Sequence, residues 1–162
     1  MKKILVSGCL FGWSCRYNGS SCECLHPIFV RWRNEGRLIP VCPEVSGGLS
    51  TPREPCEIIG NAVISRSGAD CTAKYLAGAE EALGLAREQG AALCILKENS
   101  PSCGVRSIYD GTFCGRKIPG QGMAARLLRQ AGLKVFSENE LEAAHKFLAE
   151  NERSTSRLTK RR

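Results

Sequence analysis

Residues 91–96, AALCIL, constrain the fold more than any other stretch of the chain. The run is apolar throughout, without polar alternation, and lies between Gly90 and Lys97. A strand of that kind is buried on both faces, which is the condition of a parallel sheet covered by helices. Parallel strands need crossovers, and the flanking sequence supplies one. Residues 72–89 place Tyr75, Leu76, Ala79, Leu83 and Ala86 at helical spacing, and Gly90 ends the pattern.

The rest of the chain alternates in the same way. Residues 2–6 read as a short buried strand. Residues 27–34 read as a helix, with Pro27 in its first turn and a stop at Gly36. Residues 38–41 predict a second strand, which ends at Cys42. The Gly- and Pro-rich stretch 43–60 is expected to be mostly loop, and 61–65 a strand or turn. A helix over 120–130, a strand over 133–136 and a helix over 138–151 with Ser137 as N-cap complete the order. This pattern predicts a single α/β domain over 1–150, Rossmann-like, with a mostly parallel sheet and helices on both faces. Functional residues gather at the carboxyl ends of the strands in such sheets. The strands ending near Val6, Val41 and Leu96 are each followed by a loop cysteine, so Cys9, Cys42 and Cys103 are expected to meet at one edge.

The length of 162 residues suits one domain, and 43% hydrophobic with 24% charged residues excludes global disorder. No apolar run reaches the roughly 18 residues of a membrane span. Residues 153–162 hold five basic residues and no acid, and supply most of the net charge of +7. The segment 151–162 is therefore expected to be a disordered basic tail, with weak electrostatic contact to nucleic acid as the alternative. Val6, Ser7, Gly8 and Cys9 look like a lipoprotein cleavage site, but only Ile4, Leu5 and Val6 precede the small residues. A secretory signal needs a longer apolar stretch, so the expected location is the cytoplasm, where thiols stay reduced.

Ten cysteines allow a disulfide scaffold, a metal or iron–sulfur site, or redox-active thiols. Cys9, Cys42 and Cys103 lie in SGCL, VCPE and PSCG, turn-forming surroundings that let the backbone approach a cluster and donate N–H groups to its sulfides. Three thiolates leave one position open on a four-ligand centre, as Lewis-acid catalysis requires. Spacing alone leaves buried structural thiols as the alternative. Cys94 reads as a core hydrophobe, and Cys22 and Cys24 are spaced unlike a zinc pair. Cys15, Cys56, Cys71 and Cys114 have no evident partner; Cys15 as a resolving thiol near Cys9 is not compelled.

The segments VSGCLFGWSCRYNG, IPVCPEVSGGLSTPREPCEI, ILKENSPSCGVRSIYDGTF and PGQGMAARLL together resemble the DUF523 family, which includes bacterial thiouracil desulfidases. The resemblance spans most of residues 3–138. It implies a [4Fe-4S] cluster held by three cysteines, at Cys9, Cys42 and Cys103 here, with a fourth iron free to bind a substrate sulfur. Cys15 and Cys114 fall at variable positions of that pattern. The implied reaction is non-redox desulfuration of a thiolated nucleobase, which needs groups to activate water and to move protons.

Glu44 and Ser102 are the candidate catalytic residues, because each adjoins a cluster cysteine. A loop-capping carboxylate and a turn-capping hydroxyl are their bland alternatives. Ser100, Lys97 and Arg16 are candidates for binding substrate; Arg53 shares with Arg16 a possible role against the cluster's negative charge. A Lys97–Glu98 ion pair that fixes the loop is also expected. Tyr109 and Asp110 read as packing and turn residues, and His26 and His145 have no triad context. The PGQG helix start could face an anion or a carbonyl, but it is not a dinucleotide fingerprint. The expected partner is a small thiolated heterocycle, with no membrane and with nucleic acid disfavoured; monomer and dimer stay open. The rival readings are cluster-dependent sulfur chemistry on tRNA bases and a non-catalytic zinc or nucleic-acid binding module.

Overall fold

The computed structural model describes residues 1–159. The chain runs β1 (Lys3–Ser7), α1 (Gly8–Phe11), α2 (Pro27–Asn34), β2 (Leu38–Val41), α3 (Pro43–Ser46), β3 (Cys56–Ile59), β4 (Ala62–Ser65), α4 (Thr72–Glu88), β5 (Ala91–Leu96), β6 (Ser107–Tyr109), β7 (Lys117–Pro119), α5 (Met123–Gln130), β8 (Lys134–Ser137) and α6 (Leu141–Thr159). Four strands form a parallel sheet in the order β2-β1-β5-β8. The apolar run 91–96 is β5, next to the similarly buried β1 at the centre.

The two-residue period of a strand divides these central residues between two cores. Ile4, Val6, Leu93 and Ile95 pack with Phe29 and Trp32 of α2 and with Leu141, Ala144 and Leu148 of α6. Leu5, Cys94 and Leu96 pack with Ala82 and Ala86 of α4 and with Ala125 and Leu128 of α5. Each fully buried large side chain contributes about 1.5–3 kcal/mol. Helices on both faces of a parallel sheet match the expected class.

A third core lies outside the sheet. The antiparallel pairs β3–β4 and β6–β7 bring Cys56, Ile58, Val63 and Ile108 against Tyr75 and Met123. The stretch 43–60 is thus less of a loop than expected, since it holds α3 and β3. Both are four residues long, too short to show a period among glycines and prolines. The helix expected from Gly120 begins at Met123, because β7 runs to Pro119 and Gly122 is the N-cap. Ser137 closes the turn before α6: its Oγ accepts from Asn139 N, and Glu140 accepts from Ser137 N.

The last helix continues past residue 151 to Thr159 and takes up much of the segment expected to be disordered. Glu152 explains part of this, because it accepts from the buried Arg37 at 2.6 Å and from Lys2 N at 3.1 Å. Ser154 also donates to Glu150 O one turn back. Residues 160–162, the rest of the expected tail, lie outside the described residues. Among the described residues no helix is long and apolar enough to cross a membrane.

Candidate active site

Adjacent strands β2, β1 and β5 deliver Cys42, Cys9 and Cys103 to the same edge of the sheet, where all three thiols line one cavity of about 350 Å³. Cys9 sits in α1, the turn that follows β1 directly. Cys42 is the N-cap of α3. Cys103 is carried by the loop after β5, and Glu98 fixes that loop by accepting from the backbone of Val105, Arg106 and Ser107. The expected Lys97–Glu98 ion pair is therefore absent. Lys97 Nζ instead pairs with Glu138 at 2.9 Å and donates to the Glu98 carbonyl.

The thiols differ in how readily they ionise. Burial pushes the Cys9 thiol up to about 12, helped by Cys22 and Cys42, while Lys97 and Arg16 pull the other way. Burial also raises Cys103, against a hydrogen bond with Ser7. Cys42 is lowered by a hydrogen bond with Cys15, then by the Val45 backbone N–H and by Arg53, against its own burial. Metal binding must displace the protons that burial favours.

Glu44 projects into the cavity wall from α3. Its Oε1 accepts from Tyr75 OH at 2.5 Å and from Arg53 Nε at 3.3 Å. Its Oε2 accepts from Ser100 Oγ at 3.5 Å. Close backbone packing of α3 on α4 makes this possible: a Cβ at Gly47 would strike the Lys74 carbonyl, and one at Gly78 the Pro43 carbonyl. Tyr75 is 1% exposed, and burial followed by the Glu44 carboxylate holds its hydroxyl protonated, well above the ordinary range. Arg53 stands behind Glu44 and also donates to Cys15 O at 2.8 Å and Ser50 O at 3.0 Å.

The expected residues separate on this geometry. Glu44, Ser100, Lys97 and Arg16 line the cavity. Ser102 does not, and this corrects its expected place at the reacting centre. Its side chain is fully buried beneath the loop with Oγ unpartnered, because the turn points it into the protein. Ser100 occupies the position instead, and its Oγ accepts from both Ser102 N and Cys103 N at 3.1 Å. Tyr75 was legible only as an apolar position on a helix face; a hydroxyl on that face was the one available signal. Cys15 also reaches the cavity, where its thiol hydrogen-bonds that of Cys42.

These residues fit an iron–sulfur cluster, because the three donors are thiols on one cavity wall. Among the described residues no three Cys, His, Asp or Glu side chains converge as a single ion requires. Thiolates that each hold a different iron of a cluster stand further apart than ligands of one ion.

The chain is 49% identical over 151 residues to the uncharacterized protein YbbK of Bacillus subtilis (strain 168), covering 85% of this chain and 97% of that protein. Its structure is similar to that of the [4Fe-4S]-dependent thiouracil desulfidase TudS, with a TM-score of 0.90 and 45% identity over 92% of this chain and 99% of the other. The segment that carries Cys9, Cys42, Cys103 and Glu44 lies within residues 4–140, which match the 2-thiouracil desulfurase family, and the chain belongs to that family.

Proposed function

We propose that this chain is an iron–sulfur-dependent desulfidase that exchanges the sulfur of a thiouracil-like nucleobase for oxygen from water. The observation that carries the reading is a half-buried carboxylate, Glu44, on the wall of the cavity that Cys9, Cys42 and Cys103 also line. These cysteines would hold a [4Fe-4S] cluster, whose open iron supplies a soft Lewis acid for the substrate sulfur. The reaction balances without electrons: a thiocarbonyl and water give a carbonyl and hydrogen sulfide.

This chain's own residues then have to move protons. Glu44 Oε1 is held by Tyr75 and Arg53, so Oε2, with only Ser100 at 3.5 Å, is the freer oxygen. That oxygen takes a proton from the attacking water and returns it to the ring nitrogen or to the departing sulfur. Ser100 orients Glu44 and ties it to the Cys103 loop. Arg16, held through its side chain only to Ser20 at 3.4 Å, is placed to meet a substrate carbonyl. Lys97 is committed to Glu138, and we assign it an anchoring role.

A cavity of about 350 Å³ that must also take the cluster leaves room for a single base and little more. That size, with a body charge near +2 once the basic C-terminal segment is set aside, favours a small heterocycle over tRNA. A cluster held by thiolates needs a compartment that keeps thiols reduced, and we place the enzyme in the cytoplasm.

The test is anaerobic reconstitution with iron and sulfide, followed by sulfide release from 2-thiouracil. Turnover in the parent, lost in Glu44→Gln at equal iron content, is the expected result. A fully loaded parent that releases no sulfide overturns the reading.

A further inference from the structure

The cavity wall opposite the sheet edge contains one residue whose placement costs the fold something. Phe113 has φ 58, a left-handed conformation that a side chain of its size rarely adopts. Two carboxylates hold it there. Asp110 accepts from Thr112 N at 3.0 Å and from Thr112 Oγ1 at 2.6 Å. Glu57, 8% exposed, accepts from Gly111 N at 2.9 Å and from Phe113 N at 3.2 Å. Gly111 lies so close to β3 that a Cβ there would meet Ile59 and the Ile58 carbonyl. The loop is thus pressed against the β3–β4 hairpin, bonded to a nearly buried acid, and strained at Phe113, which lines the cavity.

Packing alone does not account for this. Phe113 is half-buried and is not part of any of the three cores. Its one ring contact is Arg66, with Cζ 6.0 Å from the ring centroid, and Arg66 is itself exposed and on the cavity wall. Strain of this kind persists where surrounding bonds over-determine it, and it collects at ligand sites. Tyr17 and Tyr109 also line the cavity, but neither has a positive φ.

We propose that Phe113 is the stacking wall for the planar heterocycle, a binding and specificity residue distinct from the proton-moving group. A flat ring that offers one π-face is sequence-tolerant toward bases but selects planar over puckered ligands. The proposal rests on the desulfidase reading for the identity of the heterocycle, and on the cavity geometry for its location.

The experiment compares the parent, Phe113→Ala, Phe113→Leu and Phe113→Trp, each loaded with iron and matched by visible absorption. Two quantities are read: steady-state desulfuration of 2-thiouracil, and equilibrium binding of uracil by calorimetry. Loss of a base-stacking ring should raise KM and the uracil Kd by roughly 5- to 150-fold in the Ala variant, with kcat nearly unchanged. The Leu variant, which keeps apolar volume without a π-face, should follow Ala, and Trp should follow the parent. KM and Kd that stay at parent values in both Ala and Leu overturn the stacking role. A parent that binds uracil but releases no sulfide sinks the desulfidase reading, while uracil binding to the variants still decides the role of Phe113. A parent that neither binds nor turns over sinks both.

Discussion

The sheet-edge side of the cavity and its hairpin side are built by different physics. On the sheet side, three neighbouring parallel strands lead into the turns and the loop that carry Cys42, Cys9 and Cys103, the strands β1 and β5 being buried on both faces. Their positions follow from the packing of two hydrophobic cores. On the hairpin side, Glu44 and the Phe113 loop are held by a few directed hydrogen bonds, Glu44 by Tyr75 and Arg53 and the loop by Glu57. The first side is rigid because many small dispersion contacts agree, the second because a few polar bonds are well directed. Metal holding and substrate handling should therefore be separable by mutation.

The largest effect expected is on the sheet side. Replacing Cys9, Cys42 or Cys103 by Ala should remove most of the reconstituted iron and the broad visible absorption. Replacing exposed Cys114 should remove none. Far-ultraviolet circular dichroism should stay close to the parent's, since the strands are packed by their own side chains. Iron retained at the parental level in all three variants would break the comparison at its root.

Next comes Glu44→Gln, which crosses from one side to the other, since α3 begins at Cys42 but points its carboxylate toward α4. Loss of a proton-moving group should lower kcat by roughly 10²–10⁴ with iron unchanged. An iron content that falls together with kcat would mean that the two sides are not separable.

The same division separates what the sequence made legible from what it did not. Uniform apolar runs identified β1, β2, β5 and β8, and the strand-end rule then gathered the three cysteines without any pairwise spacing signal. Glu44 followed from its distance of two residues from Cys42. Residues 61–65 read as a strand or turn and form β4, but β3, β6 and β7 carry no period, because they are strands of three or four residues in Gly- and Pro-rich sequence. That Ser100 rather than Ser102 lines the cavity is not legible, because which hydroxyl of a Ser-Pro-Ser turn faces outward is a matter of backbone dihedrals. Tyr75 stayed hidden because its partner is 31 residues away. The last helix ran on past its expected end because Glu152 finds Arg37, a contact across 115 residues that no local pattern encodes.

Tyr75→Phe should have a smaller effect than Glu44→Gln. It removes one hydrogen bond to a charged acceptor, worth about 1.5–3 kcal/mol, from a carboxylate that keeps Arg53 and Ser100. A fall in kcat of roughly 10- to 100-fold with little change in KM is the expected reading, since the ring that fills the third core remains. A change confined to KM would move Tyr75 from orienting Glu44 to contacting substrate.

Lys97→Met should have the smallest effect on catalysis, and for that reason it tests the boundary between the two sides most finely. Lys97 leaves β5 at the cavity edge, where an ammonium group would be expected to bind substrate. Burial pulls its pKa down, but Glu138 and the thiols of Cys22 and Cys9 outweigh that and raise it. The charge is thus already spoken for, on side chains 21% and 16% exposed. Removing it leaves Glu138 with its second oxygen bonded to Glu98 N at 2.8 Å. A melting temperature lowered by about 2–4 °C, as for about 1 kcal/mol in a domain of this size, should accompany a KM within about threefold of the parent. A KM raised more than tenfold with the melting temperature unchanged would return Lys97 to the substrate, and the sheet edge would then do part of the work assigned to the hairpin side.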